Sequence, residues 1–174
     1  MIMESTARTL DTSFQLSMLL EAAYPPSHPK PDAETALLDP RIAQWVEGFG
    51  ERHGDLYAVA CQDGKPVGAA WCRLFDEKPV TGVVGLTGVG IPSLAIATDP
   101  GFRGMGIGTM ILLDLCHKAE EAGFCSLSLC VGRSNPAVRM YVRCGFEVVE
   151  ERGTLLVMVR RLRTKAPILA ESEL

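Results

Sequence analysis

Two apolar, strand-like runs at residues 93–98 and 124–131 are joined by a glycine-rich turn and a helix-like segment, and this order constrains the fold of the chain most. Over residues 106–122 the apolar positions Ile107, Met110, Ile111, Leu115, Cys116 and Ala119 recur at helical spacing, and Gly123 is a natural C-terminal stop. Two strands joined by a helix of this length should lie parallel in one sheet, with a right-handed crossover. The turn before the helix reads Arg103-Gly104-Met105-Gly106-Ile107-Gly108. A helix start leaves up to about four backbone N–H groups unpaired at the positive end of the dipole, so it favours an anion. Gly104, Gly106 and Gly108 keep this start free of side chains, and Arg103 can add a charge-assisted bond to the same anion.

The flanking sequence extends this unit into one mixed sheet. Residues 11–24 place Phe14, Leu16, Met18, Leu19, Ala22 and Ala23 on an amphipathic helix that Asp11 or Ser13 can cap. Prolines 25, 26, 29, 31 and 40 make residues 25–40 a long connector, and Asp39-Pro40 starts a second helix with Ile42, Trp45, Val46 and Phe49 as its apolar face. Strands at 56–61 and 66–75 flank Gln62-Asp63-Gly64-Lys65, whose Asp-Gly signals a hairpin, so the two should pair antiparallel. Residues 79–98 form an uncharged stretch interrupted by glycines and read as buried strand plus turns, not as a membrane span. Ser134 or Asn135 caps a short helix with Pro136 in its first turn and Gly145 at its end, and strands follow at 146–149 and 155–159. The expected order is α, α, β, β, β, α, β, α, β, β, in a single α/β domain spanning residues 1–174. The tail from about residue 164 lacks core periodicity and is expected to be flexible.

Charge and cysteine usage exclude several classes. A net charge of −4 carries no basic stripe for nucleic acid. Cysteines at 61, 72, 116, 125, 130 and 144 include no CxxC pair, so we expect buried thiols in a reducing cytoplasm and neither a zinc site nor a disulfide framework. Residues 1–10 lack the apolar core of a signal peptide, and we expect no membrane partner. The turn is not a dinucleotide fingerprint, because counting from Gly104 puts Thr109 at the third glycine; nor is it a triphosphate loop, because no Lys-Ser or Lys-Thr follows.

The segment Ile96-Ala97-Thr98-Asp99-Pro100-Gly101-Phe102-Arg103-Gly104-Met105-Gly106-Ile107-Gly108 resembles the acyl-CoA-binding motif of the GNAT superfamily of N-acyltransferases, Arg or Gln, two residues, Gly, one residue, Gly or Ala. Arg103, Gly106 and Gly108 fill that pattern. Downstream, Asn135-Pro136-Ala137-Val138-Arg139-Met140-Tyr141-Val142-Arg143-Cys144-Gly145-Phe146 is similar to the family's Asn…Tyr…Gly-Phe segment. The resemblance implies a mostly antiparallel sheet of about six or seven strands with helices on both faces, and transfer of an acetyl group from acetyl-CoA to a primary amine of a small molecule or peptide, with no metal. It implies that Gly104, Met105, Gly106, Ile107, Gly108 and Thr109 hold the pyrophosphate, that the backbone of Ile96, Ala97 and Thr98 pairs with the pantetheine, that Asn135 contacts CoA, and that Tyr141 is the general acid. It leaves room for a homodimer.

The base is the missing group. A lysine-like amine costs about 4.6 kcal/mol to deprotonate at pH 7. Related enzymes often carry a Glu where this chain has Ser93 or Cys130. A water relay, a carboxylate such as Glu47, Glu51 or Glu77, or one of His28, His53 and His117 is left to supply it, His117 being expected at the surface. A non-catalytic CoA-binding sensor is the alternative that the absent glutamates motivate.

Overall fold

A computed structural model describes residues 10–24, 28–75 and 91–163. Helix α1 (Thr12–Ala23) begins where the Asp11 carboxylate accepts the Phe14 N–H at 2.8 Å. The connector contains a short helix that proline content concealed, α2 (Ala33–Leu37), capped by Asp32. Its successor α3 (Pro40–Ala43) is shorter than its apolar pattern predicts. The reason is competition for carbonyls: Gln44, Glu47 and Gly48 give their oxygens to the Arg73 guanidinium, so the chain continues as turns. Ile42 and Val46 are nevertheless buried, as their spacing predicts.

Strands β1 (Leu56–Gln62) and β2 (Lys65–Arg73) pair antiparallel across Asp63-Gly64, where both residues adopt positive φ. Then come β3 (Ser93–Thr98), α4 (Ile107–Glu121), β4 (Ser126–Gly132), α5 (Val138–Arg143), β5 (Glu147–Arg152) and β6 (Leu155–Arg161). The sheet order is β1-β2-β3-β4-β6-β5, and every neighbouring pair is antiparallel except β3 with β4. The expected strand–helix–strand crossover is therefore present, in a mixed, mostly antiparallel six-stranded sheet. The reading of residues 79–90 and of the tail after residue 163 lies outside the described residues.

Helices cover both faces. Ile107, Ile111, Leu112, Leu115, Cys116 and Ala119 of α4, with Tyr141 and Cys144, pack on the face that carries Leu94, Leu127, Leu129 and Met158. On the other face Leu16, Leu19, Leu20, Ile42 and Val46 pack on Val59, Ala69, Trp71 and Ala97. Burying a single Leu or Ile side chain in such a core stabilises the fold by roughly 1.5–3 kcal/mol, which is why the period-2 and period-3.6 patterns hold these elements in place.

Candidate active site

The sheet opens where β3 and β4 meet. Their parallel ladder has one register pair, Ser93↔Ser128, after which the edge of β3 that faces β4 carries no ladder. On its other side β3 stays fully paired, with Ile96 opposite Ala70, Ala97 opposite Ala69 and Thr98 opposite Gly68. Ile96, Ala97 and Thr98 thus line a fork with backbone polar groups turned toward a gap, and such groups need partners. At the closed end the buried Ser93 and Ser128 hydroxyls lie 3.1 Å apart, and Ser128 Oγ donates to the Pro92 carbonyl at 3.2 Å. That chain of hydroxyls ends on a carbonyl, which cannot take up a proton, so it closes the fork without relaying a proton out of it.

The open end is built from the turn and two helices. Gly104 and Gly106 adopt φ of 76° and 81°, a region costly to residues with a Cβ, and Gly106 stands at the N-cap of α4 with no side-chain cap. The first intrahelical bond of α4 runs from Met110 N–H to Gly106 C=O, so the amides of Ile107, Gly108 and Thr109 precede the ladder. Gly104, Met105 and Gly106 are exposed, whereas the Ile107 side chain is buried in the core and only its amide serves the turn. Gly108 instead permits close packing, since a methyl group placed on it would lie 3.1 Å from the Met140 sulfur and 3.8 Å from Thr98 Oγ1. The end of β3, the first turn of α4 and helix α5 therefore converge at Thr98, Gly108 and Met140, and the two sequence motifs meet there.

Asn135 is exposed, and its Oδ1 accepts the Ala137 N–H at 2.9 Å, so it shapes the entry to α5, while Ser134 does not. Tyr141 is buried and packs edge-on against Phe146 with ring centroids 5.9 Å apart. Burial pushes its phenol up to about 12. Burial likewise takes the Cys116 thiol, in the same core, up to about 11.

The Arg103 side chain makes two contacts within the protein. It is turned to Glu21 of α1, with Nη2 donating to Oε2 at 2.8 Å, and its Nε donates to the Thr98 carbonyl at 3.4 Å. Lys30 of the connector bonds the other oxygen of the same carboxylate. No local signal links Glu21 to Arg103 across 82 positions, so sequence reasoning missed this node. It also missed Arg73, whose guanidinium binds Asp55 and three backbone carbonyls at the closed end of the fork.

A model of the acetyltransferase (GNAT) family matches residues 15–146. The chain belongs to this family. It is 33% identical over 127 residues to an uncharacterized N-acetyltransferase of Methanocaldococcus jannaschii, covering 69% of this chain but about half the length of that relative, 52%. The ribosomal-protein-alanine N-acetyltransferase of Brucella melitensis has the same fold at TM-score 0.65 and 22% identity, over 93% of this chain and 100% of that one. A putative acetyltransferase from Salmonella typhimurium, solved with its cofactor acetyl-CoA, has it at TM-score 0.63 and 20% identity, over 95% and 97% of the two chains.

Within this GNAT sheet the bases weighed on sequence separate by position. Gln44, Glu47 and Gly48 cluster at Arg73, which stands opposite Ser93 in the sheet, so Glu47 and Glu51 belong to the closed end of the fork. His53 stacks on Phe124 with centroids 5.4 Å apart, ahead of β4, and His117 is exposed beside Glu121. His28 lies in the connector two residues from Lys30, on the Glu21 side, and Glu77 lies outside the described residues. Two carboxylates stand on the face of Cys130. A bulge between Val148 and Glu150 places both Glu147 and Glu150 opposite Val159 and Val157, which in turn face Ser128 and Cys130. Arg152 holds the Glu150 carboxylate and keeps it below the usual carboxylate range. Among the described residues, no three His, Cys, Asp or Glu side chains gather as a metal site, and no helix is long and apolar enough to cross a membrane.

Proposed function

We propose that this GNAT chain transfers an acetyl group from acetyl-CoA to a primary amine of a small molecule or peptide by direct attack, working as one domain in the cytoplasm. The observation that carries this reading is the convergence of an unladdered strand edge, an uncapped glycine helix start and α5 at Thr98, Gly108 and Met140. The amides of Gly104 to Thr109 suit a pyrophosphate, and the free edge at Ile96, Ala97 and Thr98 suits the two amides of a pantetheine arm. Asn135 is exposed with its Oδ1 engaged by Ala137, so its amide NH2 is the end that would serve CoA. Cys72, Cys116 and Cys144 are buried thiols, in keeping with a reducing compartment.

In the reaction the amine nitrogen forms a bond to the thioester carbon, the C–S bond breaks, the thiolate takes a proton from Tyr141, and the proton that the ammonium formed gives up returns through solvent to the Tyr141 phenolate. Set against a solvated thiol near 8.5, a buried phenol raised to about 12 is the weaker acid, so the transfer runs uphill. The same burial that raises Tyr141 raises any thiol beside it, as Cys116 shows, so the gap narrows inside the fork. Glu150, ionised by its pairing with Arg152, is better matched to drawing in a cationic amine than to taking its proton; a water chain or His28 is left for that step. The reading as a CoA-binding domain without catalysis is supported by Ser93 and Cys130, which occupy positions where the family resemblance would put a Glu.

Thiol release from acetyl-CoA across a panel of amines tests both readings. Catalysis predicts amine-dependent release that falls about 10- to 100-fold in kcat for Tyr141→Phe. CoA binding with no release on any amine would establish the sensor instead.

A further inference from the structure

Resting on the CoA-binding reading above, we infer that Arg103 is a positioning residue and not a phosphate ligand: its pairing with Glu21 fastens the anion turn to α1. The guanidinium points back along the turn. It donates to Thr98 C=O, the last residue of β3, and to Glu21, so both its Nε and its Nη2 are turned to acceptors of the protein itself. Shortly after Arg103 come the two positive-φ residues Gly104 and Gly106, around which a Cβ would meet nothing within 4 Å. A glycine link this unconstrained loses much backbone freedom when it orders on an anion, and a tether at its first residue removes part of that cost beforehand.

Glu21 is suited to holding that tether. Its side chain is 14% exposed, against 43% for Arg103, so the carboxylate is the shielded and fixed member of the pair. It accepts from Arg103 on one oxygen and from Lys30 on the other. One ordered carboxylate thus joins the anion turn, α1 and the connector before α2, and the second pair forms on a side chain already immobilised by the first. A lone exposed pair of this kind is weak, so Glu21, which serves two, sets an effect of modest size on CoA affinity.

Calorimetric titration of the full chain with CoA, in a double-mutant cycle, tests the inference. Glu21→Gln and Arg103→Gln should each weaken CoA about 3- to 10-fold, and the double variant should be no weaker than the worse single one. Arg103→Lys, which keeps a charge for Glu21, should recover affinity to within about 3-fold of the parent. In turnover, the rise in KM for acetyl-CoA should exceed any fall in kcat. Direct contact with phosphate predicts the opposite pattern: Glu21→Gln would leave CoA binding unchanged or tighten it by freeing the guanidinium, while Arg103→Gln alone would weaken it. Either result overturns the positioning role. Failure of the parent protein to bind CoA at all would instead overturn the proposed function.

Discussion

Two arginines stand at the two ends of strand β3, and they are held in opposite ways. Arg73, opposite Ser93 at the closed end of the fork, is 0% exposed and spends five hydrogen bonds on Asp55 and the carbonyls of Gln44, Glu47 and Gly48, with the Phe49 ring 5.3 Å from its guanidinium carbon. Arg103, beyond Thr98 at the open end, is partly exposed and holds one carboxylate and one carbonyl. A guanidinium has five N–H donors, and burial demands that all be met, so Arg73 acts as a fixed clip that shapes the turns after α3. At the open end Arg103 instead keeps part of its side chain exposed.

The largest break in this contrast is Asp55→Ala. It leaves Arg73 charged, buried and unpaired, and should destabilise the fold by about 3–5 kcal/mol in chemical denaturation, well beyond the effect of Arg103→Gln. Next comes Gly106→Asp, which forces a side chain into φ 81° and sets a negative charge at the anion site. It should weaken CoA binding by about 2–3 kcal/mol in titration, with a smaller loss of stability because the site is exposed.

A pH series sharpens the closed end. Burial raises the Asp55 carboxyl, but the Arg73 bonds and the Gly50 and Arg52 amides outweigh it, so the folded value lies below 3.8. A lowered folded value contributes stability that is full above the unfolded one and lost as pH falls through the folded one. The stability gap between the parent and Asp55→Asn should therefore be constant near neutral pH and shrink below about pH 4 in urea unfolding. The smallest effect is expected of Ser93→Ala: Ser128 keeps Pro92, and the loss should be about 1 kcal/mol, with the fork still closed.

Much of this fold was legible because its signals are local. The Asp-Gly hairpin, the glycine that ends α4 and the apolar spacing of α4 each depend on residues within a few positions, and they predicted elements to within two or three residues. The connector was harder to read. Prolines masked α2, and the α3 region departed from its pattern because Arg73, some 26 to 29 positions away, takes its carbonyls. Within the candidate site the glycine turn was legible, whereas the close approach of Gly108 to Met140 and the pairing of Arg103 with Glu21 were not.

By itself the sequence determined the strand, glycine turn and helix of an acetyltransferase-like anion site, since backbone geometry and dipole follow from residue types a few positions apart. Only the tertiary structure decided where charges meet. That Arg103 turns to Glu21, that a bulge sets Glu150 on the face of Cys130, and that β3 parts from β4 after Ser93 all depend on contacts between distant segments, which no local periodicity encodes.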